Sequence, residues 1–374
     1  MTGLAALFAN GCAAFGQRPD AARRARLERS PQWKDGRFEN PQPLQNDMWG
    51  AFTHGLSGAS PHRNPERPVP IVAVERRRFE RAPATGLRVT WLGHSTFLVE
   101  LDGHRVLTDP HWSERSSPFG WIGPRRFYAP VLAMADLPPL DAVVISHDHY
   151  DHLDHATIVA LNERGVTFVV PLGVGSHLAY WGVPEARIVE LDWWDRHRIG
   201  DLEIVATPAR HASGRIPSPT SNQTLWAGFA LVGPEHRAWY SGDTGLFPGM
   251  REIGERLGPF DVTMIETGAY GRWWPDWHIG PEQAVVAHGM VRGRLLLPAH
   301  WGLFNLAYHS WTEPVERLLV SAQKAGAAVL APRPGQSLEP GAPPQLERWW
   351  PDVPSQTAAQ DPIVSSKLDG AGTL

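Results

Sequence analysis

Between Ser146 and Asp154 the chain reads Ser-His-Asp-His-Tyr-Asp-His-Leu-Asp, so that His147, His149, Asp151 and His152 place four metal-ligating side chains within six positions. Neutral imidazoles together with a carboxylate suit borderline divalent ions such as zinc, manganese or iron. In extended backbone alternate side chains point the same way. His147 and His149 are therefore expected to share one ion, while Asp151 and His152 turn toward a second. Two divalent ions about 3.5–4 Å apart lower the pKa of bound water from 15.7 toward about 7, which supplies a nucleophile at neutral pH. Three further candidates follow predicted strands: His211 in Thr-Pro-Ala-Arg-His, Asp243 in Ser-Gly-Asp-Thr-Gly and His300 in Leu-Pro-Ala-His-Trp. Glycine beside Asp243 lets backbone approach closely, as ligand sites often require.

The elements that must carry these residues are legible as short apolar runs. The β-branched stretch 141–146 reads as a buried strand with the metal loop at its carboxyl end, where α/β folds place chemistry. Stretches 87–92, 95–101 and 104–108 alternate like strands, with Asp102-Gly103 as a hairpin turn. Opening on consecutive strands suggests sheet-on-sheet architecture. Further strands are expected at 166–170, 202–207, 238–241, 262–266 and 295–297. Asp154 should cap a helix that stops at Gly165, Pro281 should open one running through Val286, and Thr312 should cap one ending near Gly326. Residues 1–86, rich in Arg, Pro and Gly, read as an extension wrapping the core, residues 87–337 as the catalytic domain, and residues 338–374 as a disordered tail.

Composition narrows the function classes. A net charge of -4 and no basic stripe interleaved with aromatics argue against nucleic acid. The single cysteine, Cys12, excludes an internal disulfide and a cysteine-based zinc site. No apolar run is long enough to span a bilayer. The apolar segment 4–15 lacks a basic start and is a poor secretory signal, while Ala9-Asn-Gly-Cys12 faintly resembles a lipoprotein cleavage site. The expected location is cytoplasmic or peripheral at a membrane, with a cell-envelope lipoprotein as the alternative. Peripheral membrane contact and a homodimer are both compatible with the sequence.

Taken in order, the loop motif and the later His, Asp and His resemble the metallo-β-lactamase superfamily over about residues 87–335. The resemblance implies a four-layer αββα sandwich with a dinuclear centre at one edge of two sheets. It implies that His147, His149 and His211 hold one ion, that Asp151, His152 and His300 hold the other, and that Asp243 bridges them. Trp91-Leu-Gly-His-Ser-Thr96, Leu107-Thr-Asp-Pro110, Gly123-Pro-Arg-Arg-Phe127, Glu190-Leu-Asp-Trp-Trp194, Gly268-Ala-Tyr270 and His300-Trp-Gly302 resemble the N-acylphosphatidylethanolamine-hydrolysing phospholipase D branch and its bacterial members. That branch implies zinc-dependent phosphodiester hydrolysis of a phospholipid, releasing an N-acylethanolamine and phosphatidate; Asp151 is expected both to ligate metal and to orient the nucleophile.

The chain departs from the phospholipase pattern at Glu266-Thr267, where those members tend to carry proline and no acid, in 271–275, and at Arg210, where glutamine is usual. These changes bear on the pocket rather than on the metals. A lactonase or phosphoesterase acting on a soluble substrate is the alternative enzyme. A di-iron redox protein is a further one, although no remaining segment is large enough for an electron-delivering domain. His278 is the candidate to donate to a phosphate oxygen or protonate the leaving group, and His94 the candidate to orient a ligand. Trp121, Trp193, Trp194, Trp273, Trp274 and Trp277 are candidates for an apolar entrance, and Tyr150 and Tyr270 for pocket walls.

Overall fold

The computed structural model describes residues 13–55, 57–215 and 221–366; Cys12 and the lipoprotein-like stretch before it fall outside them. The extension contributes helix α1 (Ala21–Leu27) and a two-stranded ribbon of β1 (Trp33–Lys34) and β2 (Arg37–Phe38). The first large sheet holds β3 (Leu87–Gly93), β4 (Thr96–Leu101), β5 (His104–Thr108), β6 (Ala142–Val144), β7 (Thr167–Pro171) and β8 (Ile188–Leu191), closed at its edge by β15 (Ser337–Leu338). The second holds β9 (Arg196–Ile199), β10 (Leu202–Thr207), β11 (Gly228–Val232), β12 (Arg237–Tyr240), β13 (Val262–Glu266) and β14 (Leu296–Ala299). Helices α2 (His155–Asn162) and α3 (Gly175–Tyr180) follow β6 and β7, and α4 (Gly249–Leu257), α5 (Pro281–Met290) and α6 (Glu313–Ala325) follow β12, β13 and β14.

Alternation along the strands builds the layers. Ile204 and Ala206, Ala238 and Tyr240, and Met264 and Leu297 pack between the sheets with Val89, Phe97 and Val143. Their neighbours Val205, Trp239, Ile265 and Leu296 point outward onto Met250 and Ile253 of α4, Ala284 and Ala287 of α5, and Leu318 of α6. Ile158, Leu161 and Leu178 bring α2 and α3 into the core of the first sheet. Strands buried on both faces read as continuous apolar runs. This is the expected αββα sandwich.

Strand direction explains the position of the chemistry. β3 and β4, and β4 and β5, pair antiparallel, whereas β5 and β6 pair parallel; the carboxyl ends of β3, β5 and β6 therefore share one edge. In the second sheet β10, β12, β13 and β14 likewise run in one direction. Seven strands thus deliver the residues that follow them to a common rim, among them His94, Asp109, His147, His211, Asp243, Glu266 and His300.

Three helix expectations meet a structural outcome. Pro281 occupies the first position of α5, and Gly326 ends α6 in the left-handed region at φ 65°. Asp154 stands at the N-cap of α2, but its carboxylate accepts from Ser113 N and Oγ instead of from the helix backbone. The expected disordered tail is corrected through Ser366. Trp349 and Trp350 are buried against Trp301, Trp350 Nε1 donates to Glu316, and Gln356 N donates to Glu313 Oε2 at 2.9 Å. Two adjacent indoles bury enough apolar area to order a segment otherwise poor in large side chains. Residues 13–55 also lie against the body: Phe38 is fully buried in the inter-sheet core and Asn40 Nδ2 donates to His211 O at 2.7 Å.

Candidate metal centre

After β6 the chain leaves the sheet without regular structure, so its polar side chains turn inward onto one point. His147 Nε2 lies 2.8 Å from His149 Nδ1, which lies 3.3 Å from His211 Nε2. On the other side Asp151 Oδ2 lies 3.3 Å from His152 Nε2 and 3.1 Å from His300 Nε2. Between the groups stands Asp243 Oδ2, 3.1 Å from His152 Nε2 and His300 Nε2 and 3.8 Å from His147 Nε2 and His211 Nε2. The structure brings all seven of these side chains together.

Two ligands held at about 2.1 Å from one ion in tetrahedral array lie about 3.4 Å apart, and the observed separations bracket that spacing. His152 Nε2 and Asp243 Oδ1 are buried without a hydrogen-bond partner. Buried polar atoms without partners are costly, and a cation would satisfy the carboxylate oxygen directly and the imidazole nitrogen in place of its proton. The donor set and its spacing therefore fit divalent metal.

The outward-facing atoms of these ligands are held from behind. Asp109, at the end of β5, accepts from His152 Nδ1 at 2.6 Å and from Ser146 N at 2.7 Å. Ser146 Oγ donates to Asp109 and accepts from His147 Nδ1 at 3.0 Å. His211 Nδ1 donates to Trp277 O at 2.8 Å. These bonds fix the tautomers, leaving the opposite nitrogens free to ligate. His94, held at φ 52° in the tight turn between β3 and β4, is fully enclosed and its Nε2 lies 3.0 Å from Asp151 Oδ2. It also groups with Asp151, His152 and His300 as a possible ligand.

Electrostatics divides the centre. Burial holds His147 and His211 well below the usual imidazole range, so both are neutral and ready to ligate. Burial also disfavours charge on His152 and His300, but nearby carboxylates, Asp243 foremost, outweigh it; His152 is held well above its ordinary pKa and His300 is raised to about 10. Burial would raise Asp243, yet His152 and His300 pull it well below the carboxylate range.

Glu266 and Asp109 are two site residues that the sequence reading did not single out for a role. Glu266 is fully buried at the end of β13, accepts from Thr244 N at 2.8 Å, and contacts His278 Nδ1 through Oε1. Burial and then Asp243 push its pKa well above the usual carboxylate range, while burial lowers His278 to about 4. Both acids end predicted strands, the same signal that marked Asp243. His278 Nδ1 lies 3.6 Å from Asp243 Oδ2, so the candidate acid does reach the centre.

The aromatic candidates divide. Trp274 and Trp277 line a cavity of about 470 Å³ that includes His278, with Ala51, Ala269, Leu306 and Tyr308. Trp273 packs beside them. Trp193 is buried in the inter-sheet core, Trp194 stacks under Arg256, and Trp121 is exposed beside Phe119, so none of the three belongs to this entrance. Tyr150 donates to Arg215 O at 2.6 Å. Tyr270 is buried, donates to Glu313 Oε1 at 2.7 Å, and borders a separate cavity of about 610 Å³ that holds none of the seven central residues. Arg210 does not line the His278 cavity. It is buried in an ion pair with Asp276 at 2.9 Å and donates to Pro43 O at 2.6 Å and Ser366 O at 3.1 Å, tying both ends of the chain to the loop that carries Trp277 and His278.

A family model for the beta-lactamase superfamily domain matches residues 104–301. An uncharacterized protein of Mycobacterium tuberculosis is 47% identical over 339 residues, spanning 88% of this chain and 90% of its own. N-acyl-phosphatidylethanolamine-hydrolyzing phospholipase D 1 of Caenorhabditis elegans is 37% identical over 307 residues, 75% of this chain and 85% of its own. Among solved structures, Igni18, a metallo hydrolase from the archaeon Ignicoccus hospitalis, superposes with a TM-score of 0.53 at 24% identity over 67% of this chain and 97% of its own, a likeness of fold. The rim that gathers five histidines and two aspartates is thus the site of a metal-dependent hydrolase, and the chain belongs to the metallo-β-lactamase superfamily.

Proposed function

We propose that this chain is a dinuclear phosphodiesterase acting on N-acylphosphatidylethanolamine-type phospholipids. His147, His149 and His211 would hold one divalent ion, Asp151, His152 and His300 the second, and Asp243 Oδ2 would serve both; zinc is the expected metal. When bound, the ions supply Lewis acidity and a nucleophile at neutral pH.

The chain's own residues do the rest. Ser146, Asp109 and the Trp277 carbonyl keep the ligating imidazoles in one tautomer. Asp151, gripped by His94, orients the nucleophile. A proton lies between Glu266 Oε1 and His278 Nδ1, which leaves His278 Nε2 to exchange a proton with the departing alkoxide. The loop 271–278 and the short helical turn at Met48–Gly50 supply apolar walls beside His278.

The observation that carries the reading is the juxtaposition of that ligand set with an apolar cavity of about 470 Å³ into which His278 opens. The likeness to the nematode phospholipase agrees with it. No helix among the described residues is long and apolar enough to cross a membrane. The test compares catalytic efficiency on N-acylphosphatidylethanolamine, a soluble aryl phosphodiester and lactones, with metal content verified. The expected result is preference for the lipid, weakened selectively by Trp274→Ala. A metal-loaded enzyme that opens lactones and leaves every phosphodiester intact would transfer the chain to the lactonase reading.

A further inference from the structure

The cavity beside His278 has apolar walls with one cation among them. Arg63, from the amino-terminal extension, lines this cavity together with Met48, Phe52, Trp274 and Leu306. It also lines the narrow cleft that reaches the ligand residue His300. Its Nε donates to Ser60 O at 3.2 Å, which anchors the guanidinium plane. Among the described residues no carboxylate lies within ion-pairing distance of it, in contrast to the buried Arg210 and Arg317, which are paired.

A half-buried guanidinium beside apolar surface loses hydration without gaining a counter-ion. Such a group is poised for an anion, and arginine's fork matches the paired oxygens of a phosphate. The apolar walls select for what is attached to that anion.

We propose that Arg63 is the specificity-determining residue that recognises the anionic group of an amphiphilic substrate, holding a phosphate oxygen while the hydrocarbon portion lies on Met48, Phe52 and Leu306. This rests on the phosphodiesterase reading above and adds to it the contribution of the extension: the metal rim supplies the reaction, and Met48, Phe52 and Arg63 supply the choice of charge and chain. Arg63 belongs to no predicted strand or metal motif, so the extension is part of the site.

The test uses the metal-loaded full chain and two ligands with the same tail, n-octyl phosphate and n-octyl glucoside, with binding measured by calorimetry. Arg63→Gln should weaken octyl phosphate about tenfold, the scale of one charge-assisted hydrogen bond, and leave octyl glucoside unchanged. Arg63→Lys should retain most of the phosphate affinity. Metal content and circular dichroism should match the parent, and Arg63→Met replaces the glutamine variant if that one does not fold. Equal binding of octyl phosphate by parent and Arg63→Gln overturns the proposal, and so does an equal loss for both ligands, which would make Arg63 a wall residue only. The two readings fail separately. An enzyme that binds octyl phosphate through Arg63 but hydrolyses no phosphodiester keeps this subsite and loses the reaction class. One that hydrolyses phosphodiesters equally well with Arg63→Gln keeps the reaction and loses the subsite.

Discussion

Behind His147 and His211 stand neutral groups, a serine hydroxyl and the Trp277 carbonyl, whereas behind Asp151 and His152 stand ionisable side chains: the Asp109 carboxylate on His152 Nδ1 at 2.6 Å and His94 on Asp151 at 3.0 Å. The first group is three imidazoles; the second mixes two imidazoles with a carboxylate and is supported by another. An anionic partner raises the basicity of a ligating imidazole and strengthens its hold on metal. The comparison teaches that the two proposed positions should differ in affinity, the Asp151 side retaining its ion longer, with Asp243 Oδ2 standing between them.

Removing the coupling should have the largest effect. Asp243→Asn is expected to reduce activity to background and to lower occupancy at both positions, read by elemental analysis; loss of a single ion would show that Asp243 serves one side only. Next comes Glu266→Gln, which touches neither group of ligands directly through a hydrogen bond. It should keep both ions yet lower kcat by about 10²-fold, the scale of general acid catalysis, in steady-state assays. Metal loss in this variant would place Glu266 among the structural supports of the Asp151 side.

Asp109→Asn tests the asymmetry itself. Metal affinity on the Asp151 side should fall about 10–100-fold. In the parent, graded chelation should strip the His147 side first, and in Asp109→Asn that order should narrow or reverse. The smallest effect is expected from Ser146→Ala, which removes a neutral partner of His147: metal affinity should fall less than about tenfold, measured by the same chelator competition. Equal losses in the Asp109 and Ser146 variants would erase the distinction between the two sides.

The same asymmetry explains what was legible in the sequence. Metal ligands cluster in one loop because a strand end can present several side chains to one point, so His147 to His152 announce themselves locally. His211, Asp243 and His300 were legible because each follows an apolar run. Asp109 and Glu266 also follow such runs, but an acid at a strand end has many uses, and only the three-dimensional rim shows that these two face the centre. Strands β8, β9 and β11 escaped for other reasons. β9 is an edge strand reading Arg-His-Arg-Ile, with no apolar face to mark it, and β11 opens on Gly228. The long-range ties were the least legible. Arg210 joins Pro43, Asp276 and Ser366, partners up to 167 positions away from it, and nothing in its neighbours encodes them. Arg63 escaped in the same way, since a lone arginine in a proline-rich stretch looks like a solvated charge until the cavity around it is seen.

The central claim is that one carboxylate oxygen stands between two metal positions of unequal support. The most direct measurement is anomalous diffraction from crystals of the chain grown with zinc and then exposed to increasing chelator. The account predicts two peaks flanking Asp243 Oδ2, one among His147, His149 and His211 and the other among Asp151, His152 and His300, with the first peak fading before the second. A single peak, peaks away from these residues, or the opposite order of loss would contradict it.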